Sequence, residues 1–349
     1  MGVTLRLDLD RWREHMRVVA DATPGLVPVI KGNGYGYGHR RLARESALLG
    51  TDTIAVGIPS EVALVREEFD GLILVLQPWR PGDKLADELL DDDRVITVVS
   101  RAEDLQALIR MGKRPRVLVE ILTAMRRHGI PANELARAVA DLGELRFEGW
   151  TIHLPIGGDD RYAGAVRLAR TALDARFGPL WLSHLPTEEA IGLSRQLGGT
   201  ETPVPIRIRI GTRLWLGDEG SRTTVATVLD VHPVRRGERI GYRQRQSPLD
   251  GWIVVMAGGT SHGIGMEAPT PAASVRQRAV SMATGSLAAA GLALSPYTIG
   301  GKKRWFCEPP HMQASMIYLP RSQTPPQIGE EVPVELRLTT ALVDTVDEV

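Results

Sequence analysis

The sequence predicts an α/β fold, a (β/α)8 TIM-like barrel followed by a mostly β C-terminal domain. Over roughly 200 residues, short β-branched runs alternate with longer segments of helical spacing, which is the order of such a barrel. After about residue 222 the helical spacing fades, and short strand-like runs are separated by Gly, Pro and Asp. The 349 residues suffice for a barrel with a second domain.

Eight strand-like runs form the predicted barrel. They cover residues 26–31, 53–57, 72–77, 95–99, 117–122, 149–153, 180–184 and 205–210. Segments with helical spacing lie between them, including 60–69, 101–111, 132–143, 161–178 and 186–199. We therefore expect each strand to be followed by a helix.

The same pattern sets the predicted domain boundaries. Residues 1–14 contain an alternating strand, VTLRLDL, and the start of the first helix, and we expect this strand to pair with the C-terminal domain. Residues 15–221 form the barrel. Residues 222–349 form the β domain, whose strand-like runs cover 223–234, 238–244, 251–259, 314–320 and 331–340.

The composition is that of an ordinary globular protein. Apolar residues make up 43% of the chain, and 42 basic residues balance 42 acidic ones, so no basic excess points to a nucleic-acid partner. The first residues lack the apolar core of a signal peptide, and no stretch reaches the ~20 apolar residues that span a membrane. Cys307 is the only cysteine, which excludes an intrachain disulfide and fits a reducing compartment. We expect a cytoplasmic enzyme without a membrane or nucleic-acid partner.

A lysine stands where the first barrel strand ends, in the stretch VPVIKGNGYGYGHRRL at residues 27–42. At the carboxyl end of a barrel strand, Lys31 would lie on the face where barrels carry out chemistry, and a desolvated amine there can form a Schiff base. On position alone, a lysine that merely emerges into solvent is the alternative. The glycines at every second position after it permit positive φ and close backbone approach, and the tyrosine hydroxyls could reach a phosphate.

The stretch KGNGYGYG resembles the pyridoxal-phosphate lysine motif of bacterial alanine racemases, usually K-A-N-A-Y-G-H-G. Further stretches are similar to that family in the family's order: LRLDLDRWREHMRVV, EILTAMRRHGI, GWTIHLP, LSHLPTEEA, RIRIGTRLWLG and PVRRGERIGY. The resemblance implies a barrel that binds pyridoxal 5′-phosphate and an amino-acid substrate. It also implies a homodimer in which each β domain helps to close the partner's active site.

The resemblance assigns one set of residues to the cofactor. Lys31 would hold pyridoxal 5′-phosphate as a Schiff base and act as one acid–base group. Tyr35 would bind the phosphate, together with the backbone N–H groups of Gly211 and Thr212 in the loop after the last barrel strand. Thr187, or a neighbour, would stand where the family has an Asn-Ser pair.

A second set surrounds the ring and the substrate. Arg127 would face the substrate carboxylate, for which a guanidinium fork is well shaped. Met312, in PHMQASM where the family has CMDQ, would lie near the substrate pocket. His153 would pack beside the pyridine ring, and His184 would support Arg209.

Arg209 bears on the type of reaction, because the resemblance places it opposite the pyridine nitrogen. An arginine does not give up its proton, so that nitrogen stays a hydrogen-bond acceptor and the ring is a weaker electron sink. Related barrel decarboxylases place a carboxylate there, which argues against decarboxylation. On the residues alone, Arg209 would be a surface arginine that shares one strand face with Arg207. Glu120 takes the place of the family's carbamylated lysine and could hold Arg127.

The resemblance fails at the second catalytic group. Racemisation by two bases needs an acid–base group on each side of the substrate Cα, and the family uses a tyrosine of the partner's β domain. Here Gln246 occupies that position in GYRQRQSP, and an amide cannot transfer a proton at neutral pH. Tyr242, His262, His311 or Tyr318 could replace it, although each alone has a structural alternative.

Three functions remain open on the sequence. The leading hypothesis is an amino-acid racemase of the alanine racemase type, with alanine or a related amino acid as its substrate. A single-base enzyme with the same cofactor, for transamination, elimination or aldol cleavage, is favoured by Gln246 and disfavoured by Arg209. A non-catalytic homologue that binds the cofactor is also favoured by Gln246, but the intact lysine loop opposes it.

Overall fold

The computed structural model describes residues 1–157, 160–266 and 293–349. The chain divides into two compact units. The barrel unit comprises residues 13–217, and the β unit comprises residues 1–12 and 218–349. The functional residues predicted from the sequence fall in both units.

The barrel unit contains a closed barrel of eight parallel strands. With β1 (Val3–Leu7) in the β unit, the barrel strands are β2 (Leu26–Ile30), β3 (Thr53–Val56), β4 (Leu72–Val75), β5 (Val95–Val99), β6 (Arg116–Ile121), β7 (Arg146–His153), β8 (Leu180–Ser183) and β9 (Ile206–Ile210). Each strand pairs with the next along the chain, and β9 pairs with β2. The predicted fold class is therefore confirmed.

Helix α1 (Leu9–Asp21) precedes the first barrel strand, and among the described residues one helix follows each of the eight barrel strands. These eight are α2 (His39–Leu48), α3 (Val62–Val65), α4 (Lys84–Leu89), α5 (Ala102–Arg110), α6 (Leu135–Ala138), α7 (Arg161–Ala175), α8 (Thr187–Gly198) and α9 (Thr212–Leu216). The helices predicted at 60–69 and 132–143 are much shorter, because each begins with a 3-10 turn, Pro59–Glu61 or Ala132–Glu134. No helix within the described ranges is long and apolar enough to cross a membrane.

Aliphatic side chains fill the inside of the barrel. Val27, Val29, Ala55, Leu74, Ile96, Val98, Leu118 and Trp181 form one buried cluster. Branched aliphatic residues suit this position because they pack well on a pleated surface that is buried on both faces. The indole Nε1 of Trp215 in α9 donates to the carbonyl of Val29 at 2.8 Å, which fixes the start of that helix against β2. The carboxyl ends of the barrel strands thus lie next to a close-packed layer of buried side chains.

The β unit is built around a six-stranded sheet with the order β16-β13-β10-β1-β18, in which β17 also pairs with β10. Its strands after β1 are β10 (Arg222–Val234), β11 (Arg239–Ile240), β12 (Arg245–Gln246), β13 (Gly251–Ala257), β14 (Leu294–Ile299), β15 (Lys302–Trp305), β16 (Ala314–Pro320), β17 (Glu331–Pro333) and β18 (Thr345–Glu348). The first strand of the chain pairs antiparallel with β10, from Val3 opposite Ala226 to Leu7 opposite Arg222, and parallel with β18. Within the described ranges this region is mostly β, as the sequence predicts.

Candidate active site

Five of the predicted residues gather at one end of the barrel. Lys31 directly follows β2, His153 is the last residue of β7, and His184 directly follows β8. Arg209 is the fourth residue of β9, and Arg127 lies in the loop after β6. Because the strands are parallel, their carboxyl ends meet at one mouth of the barrel. Barrels place their functional groups at this mouth.

The amine of Lys31 lies in an environment that disfavours its charged form. The pKa of Lys31 is lowered, first by desolvation and then by the positive charges of Arg127 and Arg209, while Glu61 acts in the opposite direction. The side chain is nevertheless accessible to solvent at the mouth. A larger fraction of this amine is therefore neutral, and so nucleophilic, than for a lysine on an open surface.

Arg209 is a buried arginine with unsatisfied donors. Its side chain is only 8% exposed, and neither Nε nor Nη2 has a hydrogen-bond partner among the described residues. Burial lowers the pKa of Arg209 to about 10 against the opposing charge of Glu120, so the group stays protonated at neutral pH. The alternative that Arg209 is a surface arginine is therefore wrong. Arg207 is the arginine of this strand that lies partly at the surface, and its Nη2 donates to Asp52 at 2.9 Å.

Glu120 is buried near the same guanidinium groups. Its Oε2 has no partner within the described part of the chain. Burial raises the pKa of Glu120, and the charges of Arg209 and Arg127 oppose that rise. The proposed pairing of Glu120 with Arg127 is not formed, since no ion pair of 4.0 Å or less joins them in the described residues, and Arg127 is exposed. The carboxyl of Glu120 therefore acts on Arg127 only at longer range.

Tyr35 and the start of α9 form a cradle of neutral donors. Tyr35 is buried, and a Cβ added at Gly211 would lie 2.1 Å from its hydroxyl oxygen, so this hydroxyl lies directly against the glycine backbone. Burial raises the pKa of Tyr35 to about 12, with a hydrogen bond from Thr212 opposing, so the hydroxyl stays a donor. Thr187, the first residue of α8, has a buried Oγ1 with no partner among the residues described. These groups could hold an anion such as a phosphate.

The two predicted histidines lie together and are neutral at pH 7. The rings of His153 and His184 meet edge to face with centroids 4.9 Å apart. Burial, and then the charges of Arg209 and Arg127, lower the pKa of His153 to about 3. The pKa of His184 is also lowered by burial and then by Arg209. The expected support of Arg209 by His184 is not a hydrogen bond in this structure, because no such bond joins them in the described part.

Backbone strain is concentrated at the same mouth. Among described residues other than glycine, positive φ occurs at Tyr35 (54°), Arg126 (52°), His184 (61°) and Gln244 (50°). Two of these are predicted site residues, and a third directly precedes Arg127. Residues with side chains pay a conformational cost for this geometry, and such strain is typical of functional sites.

The remaining predicted residue, Met312, belongs to the β unit. It is 74% exposed and lines an open groove of about 780 Å³ together with Tyr242, Glu308 and His311. In this groove, Nε2 of His311 lies 2.7 Å from Oε1 of the buried Glu308. The rings of Tyr242 and His311 lie with their centroids 4.6 Å apart. Two of the four candidate replacements for the missing tyrosine therefore lie side by side.

The other two candidates are engaged within the β unit. His262 is buried, with Nδ1 3.1 Å from Oγ of Ser261 and Nε2 3.2 Å from the carboxylate of Asp344. Both of its ring nitrogens therefore already have partners. Tyr318 lies in β16, where burial raises its pKa and a hydrogen bond with Ser247 opposes the rise.

Glu61 is a site residue that the sequence did not reveal. It is 7% exposed, and its two oxygens accept hydrogen bonds from the backbone N–H groups of Gly32 at 2.9 Å and Gly57 at 2.6 Å. The only sequence signal is a carboxylate four residues after the glycine that ends the second barrel strand. Such a signal is too common to single out a residue.

Comparisons with known proteins point to one family. The model for the alanine racemase N-terminal domain matches residues 7–176. Alanine racemase of Mycolicibacterium vanbaalenii is 29% identical over 268 residues, which are 68% of this chain and 66% of that protein. Alanine racemase of Symbiobacterium thermophilum is 32% identical over 158 residues, which are 42% of this chain and 41% of that protein. The matched regions span less than two thirds of either relative's length.

Solved structures extend the likeness to the whole fold. An alanine racemase of Clostridium difficile matches with a TM-score of 0.75 at 15% identity, over 100% of this chain and 96% of that chain. Alanine racemase of Bartonella henselae, solved with covalently bound pyridoxal phosphate, matches with a TM-score of 0.71 at 14% identity, over 100% of both chains. At these identities the likeness establishes the fold alone.

Proposed function

Because the chain belongs to the alanine racemase family, we propose that it is a pyridoxal-phosphate-dependent racemase that interconverts the L and D forms of alanine or a related amino acid. The observation that carries the proposal is the environment of Lys31. Its amine, at the end of a barrel strand, has a pKa lowered by desolvation and by two guanidinium groups. Such an amine can condense with an aldehyde and can also exchange a proton.

The residues at the barrel mouth fit pyridoxal 5′-phosphate. Nε and Nη2 of Arg209 lack a partner among the described residues, and one of them would donate to the ring nitrogen, which has a single lone pair. Oγ1 of Thr187, which also lacks a partner in the described part of the chain, would hold the phosphate together with the neutral hydroxyl of Tyr35 and the N–H groups at the start of α9. Lys31 would hold the aldehyde carbon. The cofactor would thereby supply acceptors to buried donors of Arg209 and Thr187.

The chain's own residues would then move and restrain the reacting groups. When bound, pyridoxal 5′-phosphate withdraws electrons from the attached amino acid and so makes its Cα–H bond acidic. After the amino group of the substrate has displaced it from the aldehyde carbon, the freed amine of Lys31 would take the Cα proton from one face. Arg127 is exposed at the mouth, where its guanidinium would bind and orient the substrate carboxylate. Arg209 keeps its proton and would only donate.

A second group must exchange a proton on the opposite face. We assign this role to the Tyr242–His311 pair of the β unit. With Nε2 held by Glu308, the imidazole of His311 has a fixed orientation and keeps Nδ1 as its second site for a proton. His311 is accessible in the groove, and Tyr242 is 85% exposed. We further propose that the enzyme works as a homodimer, which sedimentation of the purified chain would test.

The test follows the Cα proton. Full-length protein is incubated with L-alanine and a panel of L-amino acids in D2O, and exchange at Cα and optical rotation are followed together. Exchange with inversion supports the racemase. Lys31→Ala should abolish exchange, whereas Lys113→Ala, at a partly exposed lysine that pairs with Asp91 at 2.8 Å, should leave it unchanged. No exchange with any amino acid by a protein that has bound the cofactor would refute the proposal.

Two further variants, His311→Gln and Tyr242→Phe, identify the second base. The variant that removes this base should still exchange the Cα proton through Lys31 but should no longer invert the configuration, whereas the other variant should still racemise. If both variants racemise normally, the pair has no catalytic role.

A single-base enzyme is the second candidate, and the observation that favours it is Gln246. This residue lies exposed in β12 and offers no transferable proton. The same experiment decides between the two, because a single-base enzyme would exchange the Cα proton with retention of configuration in the unmodified protein.

A further inference from the structure

A buried carboxylate joins the backbone on both sides of Lys31. Oε1 of Glu61 accepts from the N–H of Gly32, the residue directly after the lysine, at 2.9 Å. Its Oε2 accepts from the N–H of Gly57 at 2.6 Å. Gly57 follows β3, whose last residue, Val56, pairs with the last residue of β2. One side chain therefore ties together the ends of two neighbouring strands at the lysine.

The space around this link is tightly filled. A Cβ added at Gly57 would lie 3.1 Å from Cβ of Lys31 and 3.1 Å from Oε2 of Glu61. The ring of His39, at the start of α2, brings Nε2 to 3.8 Å from Oε1 of Glu61. This contact adds a third segment of the chain to the same carboxylate. Gly57, the Cβ of Lys31 and the carboxylate of Glu61 therefore lie close together, with little room for a side chain at residue 57.

Glu61 is ionised and acts on the lysine through its charge. Burial tends to raise the pKa of Glu61, but the nearby His39 ring and the hydrogen bonds from the N–H groups of Gly57 and Gly32 outweigh it and lower the pKa. At the Lys31 amine, the negative charge of Glu61 favours the protonated form.

The other charged and titratable groups that act on this amine oppose Glu61 or are neutral. Arg127 and Arg209 both favour the unprotonated amine. His153 and His184 also interact electrostatically with Lys31, but their lowered pKa values keep them uncharged at neutral pH. The proton affinity of the lysine therefore depends first on desolvation, and then on the balance between two guanidinium groups and one carboxylate.

We propose that Glu61 is the positioning residue of Lys31: its two oxygens fix the backbone beside the lysine, and its charge opposes the two arginines at the amine. This inference rests on the proposed role of Lys31 as the cofactor-holding base. It assigns to Glu61 a function that the two arginines cannot supply, because positive charges lower the pKa of the amine whereas a carboxylate raises it.

The test measures the basicity of Lys31 directly. Full-length protein, without added cofactor, is acylated with trace acetic anhydride across a range of pH, and the labelling rate of the peptide that contains Lys31 gives the pKa of its amine. Glu61→Gln should lower that pKa. At a pH below both pKa values, the labelling rate should then rise about tenfold for every pH unit by which the pKa of Lys31 falls. Glu61→Asp, which keeps the charge, should restore most of the basicity.

Glu45→Gln is the matched control. Glu45 is another buried carboxylate of the barrel unit, and it pairs with Arg13 through two hydrogen bonds of 2.9 Å and 2.7 Å. Its loss should destabilise the fold without moving the pKa of Lys31. An unchanged Lys31 pKa in Glu61→Gln, or an equal change in Glu45→Gln, would overturn the proposal. The labelling needs neither cofactor nor turnover, so this result is independent of whether the protein proves to be a racemase.

If Glu61→Gln does not fold, hydrogen exchange in Glu61→Asp tests whether Glu61 positions the backbone beside Lys31. A carboxylate that is one methylene shorter cannot accept from both N–H groups, so hydrogen exchange in the peptides that contain Gly32 and Gly57 should become at least ~10-fold faster. In the loaded enzyme the same variant should lower kcat more than it raises KM, because the base is displaced and the carboxylate site at Arg127 is untouched. Native exchange rates in Glu61→Asp would refute the positioning role.

Discussion

The contact between Gly211 and Tyr35 makes a strong steric prediction. A Cβ at residue 211 would lie 2.1 Å from the Tyr35 hydroxyl oxygen and 2.9 Å from its Cζ, whereas ordinary contacts begin at 3.4 Å. The backbone of Gly211, with φ −117° and ψ −86°, is outside the left-handed region, so the perturbation in Gly211→Ala is steric. Tyr35 must move by more than 1 Å, about the difference between 3.4 Å and 2.1 Å.

The expected cost follows from where Tyr35 lies. The ring is buried and its backbone is held at φ 54°, so it has little room to retreat. Overpacking of this kind costs about 1–3 kcal/mol of folding free energy. Loss of one hydrogen bond to a charged phosphate costs about 1.5–3 kcal/mol, which weakens cofactor binding by roughly 10- to 100-fold.

Two measurements check these values. Urea unfolding of Gly211→Ala gives the loss of stability, and titration with pyridoxal 5′-phosphate, followed by absorbance, gives the loss of affinity. Gly192→Ala is the control. Gly192 lies in the middle of α8, where alanine stabilises the helix by up to about 1 kcal/mol, and its Cβ would make only an ordinary 3.7 Å contact with Oη of Tyr162. Native stability and native affinity in Gly211→Ala would show that the Tyr35 hydroxyl does not lie against this glycine.

Three further predictions concern buried polar groups. Thr187→Val should leave the unloaded protein as stable or about 1 kcal/mol more stable in urea unfolding, since it removes a buried hydroxyl that has no partner in the described residues, yet it should weaken cofactor binding in the absorbance titration. Burial lowers the pKa of His153 in the folded protein to about 3, below its usual 6.5, so the neutral imidazole contributes its full stability above pH 6.5. This contribution is lost as the pH falls toward 3. Between pH 7 and pH 5, the free energy of unfolding should therefore fall less in His153→Gln than in the unmodified protein. Trp215→Phe should cost about 1–3 kcal/mol in urea unfolding, because it leaves the buried carbonyl of Val29 without the indole donor, and a smaller loss would mean that water replaces it.

The strand pattern was predictable because it depends on local chemistry. The β-branched run at 95–99, for example, coincides with β5. A strand that is buried on both faces is a short continuous run of such residues, which is easy to recognise in the sequence. The helices at 60–69 and 132–143 were overestimated. Their apolar spacing is helical, but 3-10 turns occupy the first residues and the chain leaves the helix after a single further turn.

The barrel pattern alone places only residues that stand at strand ends, as Lys31 and His153 do. The roles of the other predicted site residues rest on the family resemblance and stay predictions. The burial of Arg209 could not be deduced from IRIRI, because strand periodicity gives it the same face as Arg207, which is partly exposed. Glu61 was missed for a related reason: its partners are backbone N–H groups from two other loops, and sequence patterns do not report contacts between loops.

The pairing of β1 has a consequence for the order of folding. β1 lies between β10 and β18, and residues 3–7 pair with residues 222–226 and with the strand that ends at Glu348. The barrel strands, in contrast, each pair with the next strand along the chain from β2 to β9. Because contacts between distant parts of a chain form slowly, we expect the barrel strands to pair before β1 is enclosed in its sheet.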